Sequence, residues 1–288
     1  MNKPKFGPAG ADDRFYELGY KRSAQVPEYI AAMGLAAFEY QCGRGVKITE
    51  KSAYEIRDEA AKYGITMSLH APYFISLASD DEAKRENSIN YIRQSMQAVR
   101  WLGGDRIVIH PGGAGKDRAA ALELAKQTLV RARAIMDDEG YGDIFMCPEV
   151  MGVTNQLGTF DEIMDFCSLD ERFIPTIDFG HHNARTAGGL KTEADYLELI
   201  TKMENKLGAD RTKIFHSHFS KIEYTEKSGE RKHLTFEDEI YGPFFEPLAE
   251  ILYKKSLTPT IICESRGTQS QDSVAMMNIY DNISKGIK

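Results

Sequence analysis

The chain has no run of eighteen apolar residues, and its first residues, MNKPKFGPAG, lack a charged segment followed by an apolar one. Neither a membrane span nor a secretory leader is expected, and the expected location is the cytoplasm. The four cysteines (Cys42, Cys147, Cys167 and Cys263) are far apart and form no CxxC pair, which excludes a zinc knuckle and a disulfide framework. Cys147 and Cys263 lie inside apolar runs and read as small buried hydrophobes. A cationic excess is also missing: the net charge of −7 argues against a non-specific coat for nucleic acid, although divalent ions can make one pocket locally cationic. There is no dinucleotide fingerprint, and Gly112-Gly113-Ala114-Gly115-Lys116 lacks the Walker spacing and a following Ser or Thr, so it reads as a flexible turn. No Pro/Ser-rich linker or low-complexity tract divides the 288 residues, and a single domain over 1–288 is expected.

What the chain does contain is a regular alternation. Short β-like runs at 5–9, 36–40, 65–70, 106–110, 144–149, 173–178, 213–218 and 259–264 are separated by longer segments of helical period. Thr49 starts a helix through Lys62, Asp80 or Asp81 one through Trp101, and Thr159 or Asp161 one through Phe166. Ile89, Ile92, Met96, Val99 and Leu102 give the second of these one apolar face, and the last helix is expected over 271–284. Gly64, Gly103, Gly104, Gly140 and Gly142 stand where helices should stop. Eight βα units predict an α/β fold, a closed (β/α)8 TIM barrel. The stretch 220–243, after the seventh strand, is too long for a simple turn and is expected to shape a site on the catalytic face.

Titratable residues collect at the ends of those runs. Six of the seven histidines, together with Glu149, Asp178 and Glu264, sit at or just past them; only His233 lies elsewhere, in the long loop. A barrel brings the C-terminal ends of its strands to one face, so His70, His110, Glu149, Asp178, His216 and Glu264 are expected to converge. Carboxylates packed so closely would repel unless divalent cations lay between them, and imidazole with carboxylate is an ordinary ligand set for such ions. Of the neighbouring pairs His181/His182 and His216/His218, only one member each needs to ligate. His182 and His218 are assigned to ligand orientation or substrate contact.

These residues resemble a family, the zinc-dependent apurinic/apyrimidinic endonucleases of the endonuclease IV type (AP endonuclease family 2), within the xylose-isomerase-like barrels. The likeness runs over about 69–264 and rests on Ser68-Leu69-His70-Ala71-Pro72-Tyr73-Phe74, Ile109-His110-Pro111-Gly112, Pro148-Glu149, Asp178-Phe179-Gly180-His181, His216 with Ser220-Lys221, and Cys263-Glu264-Ser265. It implies a zinc ion on His70, His110 and Glu149, a second on Glu149, Asp178, His216 and Glu264, and a third on His181 and His233, with manganese as an alternative metal. The family's Asp two residues before the last histidine is Arg231 here, which removes one ligand of the third ion; two ions are therefore expected. Its seventh-strand His-x-Asn-Asp reads His216-Ser217-His218-Phe219. The first-strand Gly-Ala-His and the DNA-probing second loop are reduced to Gly7-Pro8-Ala9 and Tyr40-Gln41-Cys42-Gly43-Arg44.

The implied activity is hydrolytic incision of DNA 5′ to abasic sites, a DNA-repair reaction. Glu149 would bridge the ions, and Glu264 would ligate one and orient or deprotonate the attacking water. Tyr73, Lys221, Arg231, His182 and His218 are the expected substrate contacts, with abasic-site DNA as partner. The alternative is a metal-dependent sugar isomerase or epimerase acting on a small sugar or sugar phosphate, in which Glu149 and Glu264 move protons on opposite faces of one carbon. His70 and His110 distinguish the two, because they supply a second metal position.

Overall fold

The computed structural model describes residues 3–287. Its strands are β1 (Lys5–Pro8), β2 (Ala37–Gln41), β3 (Thr66–His70), β4 (Arg106–Ile109), β5 (Phe145–Pro148), β6 (Thr176–Asp178), β7 (His216–Phe219), β8 (Ile222–Thr225), β9 (Gly229–His233) and β10 (Thr260–Cys263). Two parallel sheets, in the orders β1-β10-β7-β6 and β2-β3-β4-β5, are joined by parallel bridges Ala9–Glu39 at one seam and Met146–Phe173 and Glu149–Thr176 at the other. These bridges close an eight-stranded barrel, the (β/α)8 fold, whose strands coincide with the eight apolar runs. At the β1–β2 seam a Cβ on Gly7 would overlap the Ala37 carbonyl, so only glycine permits that approach.

Local chemistry sets the helix boundaries. The Thr49 hydroxyl accepts from the Ser52 amide at the start of Glu50–Tyr63, and Gly64 ends that helix in the left-handed region at φ 68°. Asp81 caps Glu82–Trp101, which buries Ile89, Ile92, Met96 and Val99 against the barrel. Thr159 and Glu162 form a reciprocal capping box at Phe160–Cys167. The last helix, Gln269–Ser284, starts two residues earlier than the sequence pattern predicts. All four cysteines are free and buried, and burial pushes the Cys42 and Cys263 thiols up to about 12. The glycine-rich turn after β4 is pinned rather than free: the Ala114 amide donates to the Asn155 carbonyl and Gly113 bridges Gln156, so these amides do not form a phosphate cradle.

Segment 220–243 contains the antiparallel hairpin β8–β9, which folds back over the C-terminal face. Its register shifts by one residue: Glu223 pairs with Lys232, but Tyr224 pairs with Glu230, leaving Arg231 as the extra residue of a bulge.

Candidate metal centre at the C-terminal face

Glu149, just past β5 and fully buried, is the hub. Its Oε2 lies 2.9 Å from His110 Nε2 and 3.4 Å from His70 Nε2, and its Oε1 lies 3.1 Å from His218 Nδ1 and 3.3 Å from His181 Nδ1. His218 Nδ1 is also 3.6 Å from Glu264 Oε1. Asp178 ends β6 and caps the following helix, its Oδ1 accepting the His181 amide at 2.7 Å. The cap leaves Oδ2 free, 3.2 Å from the His181 ring, which explains the Asp-x-x-His spacing: one residue both starts the helix and faces the imidazole one turn on. His181 Nε2 then meets Glu230 at 3.2 Å, and Glu230 meets His233 at 3.6 Å.

Among the described residues four groups result, each with its ligand atoms within 4.8 Å of one another: His70, Glu149 and His218; Glu149, Asp178, His218 and Glu264; His181, Glu230 and His233; and Glu39, His216 and His218. The donor set fits divalent ions. Glu149 Oε2 and Asp178 Oδ2 are buried without an aligned hydrogen-bond donor, a costly state for a carboxylate oxygen unless a cation faces it. Burial alone would push His181 and His218 down, yet Asp178 and Glu230 around the first, and Glu264, Glu39 and Glu149 around the second, hold both well above the usual imidazole range. Burial likewise opposes ionisation of Glu149, but His218 and His110 hold it well below the carboxylate range. Asp178 goes the other way, raised by burial to about 6. His110 is lowered, burial outweighing Glu149.

Two expectations about ligands are corrected. His216 does not join Glu149, Asp178 and Glu264; His218 does. The register explains why: His216 is level with Thr176 and Thr260, whereas His218 is level with Asp178, one layer nearer the catalytic face. His216 instead donates to Glu39 on β2, at 2.9 Å. The missing acid of the third group is supplied by Glu230, three residues before His233. In a regular strand that spacing would put the two side chains on opposite faces; the extra Arg231 restores them to one face.

Among the expected substrate contacts, Tyr73 stands half-exposed beside His70 and His110, its ring wedged against Gly43, where any Cβ would collide with it. Arg231 is exposed on the bulge. Lys221 turns inward: it is buried and its ammonium binds the Phe236 and Asp238 carbonyls, tying down the loop instead of facing substrate. His182 is also misplaced by the sequence reading, since it points away from the ring into a groove with Phe160, Arg185 and Lys202, where burial lowers it to about 4. Glu39 and Glu230 are the residues the sequence reading missed. The ring opens into a cavity of about 300 Å³ walled by Tyr73, Met151, Val153, Gln156 and Glu230.

A closed barrel carrying an imidazole and carboxylate ring at the C-terminal ends of its strands defines a class of enzyme scaffolds. The chain belongs to the xylose isomerase-like TIM barrel family, whose model matches residues 27–280. It is 29% identical over 285 residues to an uncharacterized protein of Methanocaldococcus jannaschii, covering 96% of this chain and 97% of that one. It is also 27% identical over 224 residues to a probable endonuclease 4 of Mycoplasmoides gallisepticum, covering 75% and 69%. Two solved structures share the fold at TM-score 0.70. One is a D-tagatose 3-epimerase-like protein (22% identity; 90% and 93% covered), the other endonuclease IV from Thermus thermophilus (17%; 99% of each). Proteins titled as an endonuclease and as epimerase-like thus share this fold.

Proposed function

We propose that the protein is a metal-dependent phosphodiesterase that incises DNA 5′ to abasic sites, using zinc or manganese. The observation that carries this reading is the third acid and imidazole group, His181, Glu230 and His233, set against the Glu149 ring. A one-ion isomerase or epimerase needs four ligands and would leave His70, His110, Glu230 and His233 without a role. The sequence relatives named as probable endonuclease 4 support the same reading.

Ions held there would polarise a phosphoryl oxygen and lower the pKa of the attacking water. Glu149 spans the first two groups with its two oxygens. Glu264, at the cavity wall beside His218 Nδ1, would take the water's proton. Tyr73, half-exposed at the cavity wall beside His70 and His110, would meet an entering sugar or base, and Arg231 would meet a phosphate at the rim through paired N–H donors.

One observation favours the sugar reading: with Lys221 turned inward and Lys232 paired to Glu223, the rim offers few free cations for a polyanion. The test is cleavage of a labelled abasic-site duplex across a salt series, run beside a ketose epimerisation assay. Incision with log affinity falling by roughly 0.9 per phosphate contacted supports the nuclease. No duplex binding at low salt, together with metal-dependent ketose turnover, overturns it.

A further inference from the structure

Glu39 lies on β2, is completely buried, and forms with His216 and His218 the group that stands back from the cavity wall. Four donors surround it. Oε2 accepts from His216 Nε2 at 2.9 Å and from the Ser68 hydroxyl at 2.9 Å, and Oε1 accepts from the Gln41 amide at 3.2 Å and faces His218 Nε2 at 2.9 Å. The fourth contact is short, but the ring N–H points off the line to the oxygen, so it is a close approach and not an aligned hydrogen bond. A carboxylate has about four lone-pair positions; three here accept hydrogen bonds and the fourth faces the His218 ring.

This arrangement bears directly on His218. Imidazole ligates through one nitrogen only when the other carries the proton, and Glu39 can only accept. Its Nε2 therefore has to be N–H, which leaves Nδ1 bare on the side of Glu149 and Glu264. We infer that Glu39 is a positioning residue for metal capture: it fixes the tautomer and ring orientation of His218, and His216 and Ser68 in turn hold Glu39. The inference rests on the metal-dependent reading above. It also gives a role to His216, a buried histidine that does not reach Glu149 and packs edge-on against His218.

The test uses the full chain, wild type and E39Q. Whichever way the amide is turned, it sets an NH2 against donors that the carboxylate accepts from. Each protein is titrated with zinc against a competing chelator and with cobalt(II), whose absorption bands report ligand geometry, and thermal melts record folding. The expected result is a roughly 10- to 100-fold loss of affinity at one site with shifted cobalt bands. A lowered melting temperature with unchanged affinity and bands would make Glu39 a purely structural residue and overturn the inference. Loss of one whole ion per chain with unchanged bands for the others would make Glu39 itself a ligand, and also overturns it. Wild type that takes up no ion sinks this inference and the metal-dependent reading together, whereas a loaded wild type matched by E39Q sinks this one alone. If E39Q does not fold, two-bond nitrogen–proton correlation on 15N-histidine wild type loaded with zinc decides: Nε2–H with metallated Nδ1 on His218 is expected, and the opposite tautomer refutes the idea.

Discussion

Metal uptake by this ring must expel protons, and their number follows from the electrostatics. His181 and His218 are held well above the usual imidazole range and His70 and His233 are raised less, whereas His110 is lowered. An ion cannot share a nitrogen with a proton, and each proton released raises log affinity by one per pH unit, about 1.4 kcal/mol. Between pH 7 and 8 the affinity of each ion should therefore rise about 10-fold for every proton displaced from its own site, His218 in the groups around Glu149 and His181 in the group with Glu230. Towards pH 6 the dependence should steepen, because Asp178, near 6, takes up a further proton. Calorimetric titration with zinc in buffers of different ionisation enthalpy counts the protons directly. The same shifts fix the sign for stability. Raised imidazoles stabilise the metal-free fold below their unfolded value of about 6.5, and that contribution is lost as pH rises through their higher folded values. The lowered carboxyls of Glu149 and Glu39 contribute above about 4.3, a contribution lost as pH falls through their folded values. The metal-free protein should thus weaken on the alkaline side, where the loaded one does not. Binding heats that do not depend on the buffer, with affinity flat from pH 7 to 8, would refute the assignment of protons to His181 and His218.

Glu149→Gln should cost metal affinity more than the roughly 10- to 100-fold typical of an outer partner, because a neutral amide cannot bridge two cations; elemental analysis after dialysis is the check. His218→Ala should do the same, while His182→Ala leaves metal content unchanged, and equal effects would overturn the placement of His218 in the ring and His182 in the outer groove. Glu230→Gln should weaken one ion of the set without dissolving the others. Arg231→Ala should leave metal content intact and, if DNA binds, reduce the salt slope by about 0.9, read by fluorescence anisotropy.

The barrel and most of its ring were legible because strand ends in a parallel barrel all point to one face, so position along each apolar run reports position in space. Where that logic lacked a second coordinate it failed. His216 and His218 alternate with the same parity and both face inward; which one meets Glu149 depends on the stagger of β7 against β6, and sequence carries no direct record of stagger. Glu39 did leave a signal. A carboxylate inside Ala37-Phe38-Glu39-Tyr40 is costly to bury without donors, and the two imidazoles of β7 are the obvious ones.

Glu230 was illegible for a different reason, and that reason explains the Arg231 departure. Glu-x-x-His over a regular strand puts acid and imidazole on opposite faces, so Arg231 looked like the loss of a ligand. With Arg231 bulged out, Glu230 swings beside His181 and His233, and the third group is kept. The bulge also decides where the cation goes: the residue left unpaired in a bulge has no ladder partner, and here it is exposed at the rim of the face that carries the ring. One inserted residue thus separates two roles by position, an anionic ligand facing the centre and a guanidinium facing solvent. Deleting Arg231 should consequently do more harm than replacing it by alanine. Deletion removes the extra residue and turns Glu230 away from His181, so the third group loses its acid, whereas R231A keeps the backbone irregularity and the ligand. Equal metal content in the deletion and wild-type proteins would show that the bulge does not place Glu230.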